Sequence, residues 1–338
     1  MIRFLAGTMT VCLLVAGCAS TGKKPKPERE KPSAETGRQR VTLEQAGGYS
    51  LDQTVRRVGE EYGGGLVVMN GVGDRILGPL AVKDAGINKL AIQLAEDTEC
   101  AYQETPHYYF LYPASPPGYE SLLNLSVQPS LDARYAGLTV SMAFGDNTEL
   151  FNVFAVLSRN LGVTIVGDAA VAESGCGELA LTEVPLWAGL DALLKSARVS
   201  PEFLEVDSTP EYIFFSTAGN PNPRSALLNE SELSAEQLAL LDRPVTVILP
   251  EPPASGAGIS FHRGGRQLHL VQETLSRQLG MPVVVQPDLE KIPINPCVMN
   301  NVRVRTAMDL LIRQWLSASY GYELRDGSIV IRRKSPPK

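Results

Sequence analysis

Histidine is scarce in this chain: His107, His262 and His269 are its whole complement of the residue. None of them stands at a spacing that zinc binding or acid–base catalysis uses. The sequence also lacks a Gly-x-Ser-x-Gly elbow and an HExxH helix, which removes the commonest signatures of serine hydrolases and zinc proteases. Gly63-Gly64-Gly65 has no Gly-Lys-Ser/Thr ending to cradle a phosphate, and reads as a helix stop. Gly71-Val-Gly73 follows an apolar run but opens no helix, so it argues nothing for a dinucleotide. No CxxC pair occurs. No apolar run reaches the roughly 20 residues that a bilayer core requires. These absences predict a protein without catalytic residues, metal, cofactor or small-molecule substrate.

The amino terminus carries a processing pattern. Arg3 precedes the uncharged run Phe4–Val15, which closes with Val15-Ala16-Gly17-Cys18. Val-Ala-Gly-Cys resembles the lipobox of bacterial lipoprotein signal peptides. The resemblance implies that residues 1–17 are removed, that Cys18 is acylated on its thiol, and that the chain meets a membrane through this anchor. An ordinary signal peptide with an incidental cysteine is the alternative. Ala19 rather than Asp follows the cysteine, which in Gram-negative relatives goes with outer-membrane sorting, so the expected location is the periplasmic face of the outer membrane. Residues 18–40 then read as a disordered tether. Seven Lys/Arg against three Glu give it a +4 charge, among prolines and no large apolar residue. From Val41 onward 23 basic side chains face 34 acidic ones, and that acidic balance argues against nucleic acid as a partner. Cys100, Cys176 and Cys297 remain in the body. Their odd number forbids complete internal pairing, and apolar filling accounts for them.

What the body does contain is self-similarity near a period of one hundred residues. An offset of 99 places Leu51 on Leu150, Val58 on Leu157, Leu66 on Ile165 and Leu94 on Leu193. An offset of 118 then places Leu150 on Leu268, Gly162 on Gly280, Ile165 on Val283 and Leu193 on Leu311. Each copy reads as strand, helix, strand, strand, helix and a closing hairpin. The first helix begins at Ser50 or Asn147 and ends at a glycine, where a left-handed residue costs least. In copy two its stripe Leu150, Val153, Phe154, Leu157 and Leu161 follows i, i+3, i+4, i+7, i+11 spacing. The predicted class is α+β, with three tandem βαββαββ domains at 41–113, 138–216 and 245–338. Connections at 114–137 and 217–244 are long enough to permit relative movement unless they dock. The second holds a short helix from Ala235 to Leu241 after the cap Ser234, and a Pro/Gly insertion, 250–258, interrupts copy three.

Copy two, through Leu157–Gly162, Val163–Asp168 and Leu181-Thr-Glu-Val-Pro-Leu-Trp-Ala-Gly-Leu190-Asp-Ala-Leu-Leu194, resembles the short amino-terminal domain of secretins and TonB-dependent receptors. Copy three keeps Asp309 at the place of Asp191. Copy one has Ile92 there and lacks the Val-Pro-Leu turn, so its assignment rests on the offset. The resemblance implies a periplasmic domain that contacts other proteins or builds rings in secretion channels. The chain has no outer-membrane barrel or secretin core after copy three, so it is expected to be an accessory of a secretin-type or pilus channel rather than the channel. Two alternatives stand beside this: an envelope scaffold or receptor-side binding protein that never meets a secretin, and an enzyme with a site between repeats.

Three local features are candidates for contact or chemistry. In His107–Tyr112, Tyr108, Phe110 and Tyr112 face one way and Tyr109 the other, so an edge strand here could take a partner strand; a buried strand is the competing reading. Arg303, Arg305, Arg313, Arg332 and Arg333 are candidates for a positive patch on an acidic body, against a solvated face. His269 and Glu273 stand i, i+4 on one helix as a candidate acid–base pair, with a surface ion pair as the alternative.

Overall fold

The structure is a computed structural model describing residues 40–115, 118–222, 224–249 and 266–334. The expected signal peptide, Cys18, all of the tether but Arg40, and the insertion at 250–258 lie outside the described residues. The fold class is α+β.

In the first stretch, β1 (Arg40–Gln45) leads to α1 (Leu51–Tyr62), β2 (Leu66–Val68), β3 (Leu80–Gly86), α2 (Ile87–Asp97), β4 (Cys100–Glu104) and β5 (Tyr109–Pro113). The second holds β6 (Thr139–Phe144), α3 (Leu150–Leu161), β7 (Ile165–Gly167), β8 (Leu179–Pro185), α4 (Leu186–Ser196), β9 (Leu204–Ser208) and β10 (Ile213–Thr217). After α5 (Ala235–Leu241), the third holds β11 (Pro244–Leu249), α6 (Leu268–Leu279), β12 (Val283–Val285), β13 (Cys297–Arg303), α7 (Val304–Arg313), β14 (Tyr320–Arg325) and β15 (Ser328–Arg333). In each stretch the opening strand pairs antiparallel with the third, as β1·β3, β6·β8 and β11·β13. The second strand pairs parallel with the last, as β2·β5, β7·β10 and β12·β15. The last two form an antiparallel pair.

Helix ends follow local chemistry. Ser50 caps α1 and forms a capping box with Gln53. Gly63, Gly162 and Gly280 end α1, α3 and α6 at φ of 84°, 66° and 62°. A side chain would be strained in that left-handed backbone. Asn147 is not a cap. It takes φ 57°, and Glu149 holds the N-cap position of α3 in extended backbone without a side-chain bond. Ser234 caps α5 as expected, and it forms a capping box with Gln237.

The compact units do not divide where the sequence repeats divide. Unit 1 comprises the first stretch with β6, β8 and α4 of the second; unit 2 comprises α3, β7, β9 and β10 of the second with the whole third stretch. In unit 1, β8 pairs with β2 as well as β6, giving a five-stranded sheet of order β4-β5-β2-β8-β6. In unit 2, Val166, Tyr212 and Phe214 share one core with Met308, Leu311 and Tyr322. The expected domain 138–216 is therefore split: its two halves lie in different cores.

The expected linkers dock. Leu122, Leu125, Val127 and Tyr135 are buried in unit 2, and the Tyr135 hydroxyl donates to Thr209 O at 2.8 Å. Ala226 and Leu241 are buried as well, with Leu228 N donating to Tyr322 O at 2.8 Å. Apolar side chains within otherwise Pro- and Gly-rich stretches give these connections a face to bury.

Candidate functional site

The aromatic run is not an edge. β5 lies between β4 and β2, so both of its hydrogen-bonding sides are used, and Tyr108, Tyr109 and Phe110 are all buried. Burial pushes the Tyr108 hydroxyl far above its usual range. Tyr109 is raised to about 12 by burial and by its bond to Glu104 Oε1 at 3.0 Å. Tyr112 is half-buried and stacks on Phe110. With its backbone spent, this strand takes no partner by augmentation.

The five arginines do not form an open positive patch, because each has a carboxylate. Arg303 makes a forked pair with Glu211 at 3.0 and 3.1 Å; Arg305 reaches Glu230 and Asp242; Arg332 meets Glu323 at 2.8 Å and Arg333 meets Asp288 at 2.5 Å. Arg313 is buried against Asp207 at 2.8 Å and lies over the Phe214 ring. Arg303, Arg305 and Arg313, with Glu211, Tyr212, Arg224 and Asp309, line a cleft of about 430 Å³ in unit 2. Burial lifts the Asp309 carboxyl to about 7 although its Oδ1 accepts from Ala226 N at 2.7 Å. The cleft concentrates polar groups, but most of its charges neutralise one another in bidentate or buried pairs.

His269 and Glu273 are exposed on α6, His269 Nδ1 bonds Glu290 O at 2.8 Å, and among the described residues no hydrogen bond or ion pair joins the two side chains. Cys100, Cys176 and Cys297 are free and buried; desolvation raises the Cys176 and Cys297 thiols to about 12. Among the described residues no group of His, Cys, Asp or Glu could hold a metal ion, and no helix is long and apolar enough to cross a membrane.

The arrangement that recurs is a joint between stretches. In unit 1 the first helix and second strand of stretch one receive the third strand of stretch two. Gly65 N donates to Ala180 O at 2.7 Å and Val68 N to Glu178 O at 2.8 Å. Thr182 Oγ1 donates to Gly63 O at the end of α1, and Arg56 holds the buried Glu178 by a fork at 3.0 and 2.7 Å. Gly59 is required here, since a Cβ at that position would stand 2.5 Å from Ala180 Cβ. Unit 2 repeats the contact one stretch later. Asn300 of β13 donates through Nδ2 to Ser158 O at 2.7 Å and Val163 O at 3.2 Å, and its N–H donates to Thr164 Oγ1 at 2.8 Å. The offset of 118 carries Thr182 to Asn300 and Ala180 to Val298, so the same repeat positions make both joints.

Comparison with family models, curated proteins and solved structures returns no match. The site is therefore read from its geometry. A carboxylate cluster completes the first joint: Asp52 is buried, its Oδ1 has no hydrogen-bond partner among the described residues, and it is raised to about 7 by burial and by Asp146, Glu178 and Asp74. The sequence reading misses Asp52, Glu178 and Asn300. For Asn300 the signal is a second stripe on the helix it meets, Phe151, Ala155 and Ser158 in α3, which is buried beside the first. Its i, i+4, i+7 spacing marks a second helix face in contact.

Proposed function

We propose that the chain is a lipid-anchored periplasmic assembly module, built from three tandem copies of the βαββαββ domain that resembles the secretin and TonB-receptor amino-terminal domain. In this reading it holds protein partners of the same fold at a secretion or pilus-type channel. The observation that carries the reading is the joint made twice over, in which one copy's first helix and second strand take the third strand of the next copy. A surface that the chain uses on itself at two places is a surface suited to the same element in another protein. The common strand pairing of the three stretches supports their kinship. The mutual pairing of charges in the unit 2 cleft supports contact over catalysis.

Affinity capture from solubilised envelopes tests this. Recovery of a channel-forming protein supports the assembly role; recovery of cell-wall fragments alone favours an envelope scaffold and overturns it. Lipidation has its own test: labelled palmitate should enter the parent chain and not Cys18→Ser, and equal labelling ends the anchor claim.

A further inference from the structure

Two joints occupy two receiving faces, yet the chain has a third such face. The offsets that carry Val67 to Val166 carry it on to Val284, and those that carry Arg56 to Ala155 and Gly59 to Ser158 carry them on to Glu273 and Ser276. At the two joints Val67, Val166, Ala155 and Ser158 are all covered, none of them more than 3% exposed. On the third face Val284 is 45% exposed, Glu273 is exposed and Ser276 is half-buried. Among the described residues β12 is an edge of the sheet β12-β15-β14, as β7 is of β9-β10-β7 at the occupied unit 2 joint, whereas β2 has a strand on either side.

The complementary element is also present and uncovered. β3 is the counterpart of β8 and β13, and among the described residues it pairs with β1 alone, in the same register in which β8 pairs with β6. Its Ala81 stands at the place of Ala180 and Val298, which are buried within the joints, but Ala81 is exposed. Its Lys83 stands at the place of Thr182 and Asn300, the two side chains that donate to carbonyls at the end of the preceding copy's helix.

We infer that β3 of one chain docks on the β12–α6 face of a second copy, repeating between chains the joint that each chain already makes twice within itself. The fit follows from the internal joints. Ala81 would lie against Ser276 as Ala180 lies against Gly59, Lys83 would supply the donor to the end of α6, and Val284 would be covered. Val285 occupies the place of Val68, whose N–H donates across the joint. Pro282 replaces Gly65, so the second main-chain bond of unit 1 has no donor here; the unit 2 joint, which relies on Asn300, has the same character. A contact of this kind is heterologous, because the two surfaces differ, and it propagates into a ring or a filament. The inference deepens the assembly reading and rests on it, by naming a second copy of the chain as an occupant.

The experiment uses the full chain purified in detergent. Ala81→Cys and Ser276→Cys chains are mixed and treated with a short bismaleimide, with the parent chain as the background control. Covalent dimers joining peptides 81 and 276 are expected from the mixture and not from either variant alone. Sedimentation velocity should show concentration-dependent association of the parent, and Val284→Asp, at a position already open to water, should weaken it at least ~10-fold. A parent that stays monomeric up to roughly 100 µM, a loading at which even weak association registers, overturns the inference. So does association that Val284→Asp leaves unchanged, or a mixture that yields no 81–276 link. If these fail while a channel protein is still captured from envelopes, the assembly reading survives without self-association.

Discussion

Asp52→Asn should stabilise unit 1 above neutral pH and do little below pH 4.5. Asp52 is 7% exposed, and the charges acting on its carboxyl are Asp146, Glu178 and Asp74, with Arg56 as the opposing cation. Arg56 is committed to Glu178, so it cannot form a dedicated pair with Asp52. Burial and like charge therefore raise the group from 3.8 to about 7. The sign follows from proton counting. Between these two values the folded chain binds a proton that the unfolded chain has released, so stability falls as pH rises from about 4 to about 7 and is flat above. At ~1.4 kcal/mol per pKa unit the full penalty is about 4 kcal/mol, and water entry on ionisation is expected to reduce it to about 2. Asparagine keeps the shape and carries no charge, so this slope should vanish. The assay is urea unfolding followed by tryptophan fluorescence in a Trp315→Phe background. This leaves Trp187, which lies in unit 1 against the edge of His107, as the reporter. Parent and Asp52→Asn chains are compared at steps from pH 4.5 to 8. Their midpoints should converge at the acid end and separate at the alkaline end. Parallel curves across the range would refute the placement of a protonated carboxyl in this joint.

Three further perturbations address the joints and the core. Arg56→Ala leaves the buried Glu178 without its fork. The same urea curves should show a loss of about 2 kcal/mol from unit 1, below the figure for a fully buried pair because Arg56 is half exposed. Asn300→Ala removes two donations to the end of α3 and should cost unit 2 about 1–3 kcal/mol. A Trp187→Phe background, with Trp315 as the reporter, reads that loss, and an unchanged midpoint would show that the unit 2 joint stands on apolar contact alone. Cys176 and Cys297, raised to about 12 in buried sites, should not react with a chromogenic thiol reagent at pH 8 until urea unfolds the chain. Rapid native reaction at either would contradict its burial.

The helices and their ends were legible because their signals are local. An apolar stripe, a serine cap and a terminal glycine depend on neighbours within a few positions; the stripe and the glycine fall as expected at α1, α3 and α6 and the serine cap at α1 and α5, whereas the cap expected at Asn147 does not form. Domain boundaries were not, since a period reports where a pattern restarts and not where its contacts fall. β8 belongs by sequence to the second copy, yet Leu179 and Ala180 stand opposite Val67 and Leu66 of the first. The aromatic run misleads for a related reason: alternation with both faces apolar describes an edge awaiting a partner and a strand that already has two equally well. Arg303, Arg305, Arg313 and Arg333 resemble a patch because their carboxylates come from elsewhere in the chain. Glu211 lies 92 residues from Arg303, and Asp207 lies 106 from Arg313.

A further signal for the repeat lies in polar residues of its paired strands. Asp84, Glu183 and Asn301 adopt φ of 46°, 52° and 48°, and they occupy a single repeat position on β3, β8 and β13. A left-handed conformation costs such residues of order 1 kcal/mol, and glutamate is a poor choice for it, so local preference does not explain three occurrences. The opposite strand does. Thr42, Ser141 and Thr246 present a hydroxyl to the bulged N–H, which donates to Thr42 Oγ1 at 3.0 Å, Ser141 Oγ at 2.9 Å and Thr246 Oγ1 at 3.3 Å. The pairing register slips within each strand pair, and the displaced amide finds a side chain where the ladder no longer offers a carbonyl. A hydroxyl at one point of each opening strand thus satisfies a strained turn far along the chain, just before each second helix begins. Apolar offsets alone could have arisen from helices of similar length. A hydroxyl, a bulge and a helix start kept together three times define a device that local secondary-structure preference does not require.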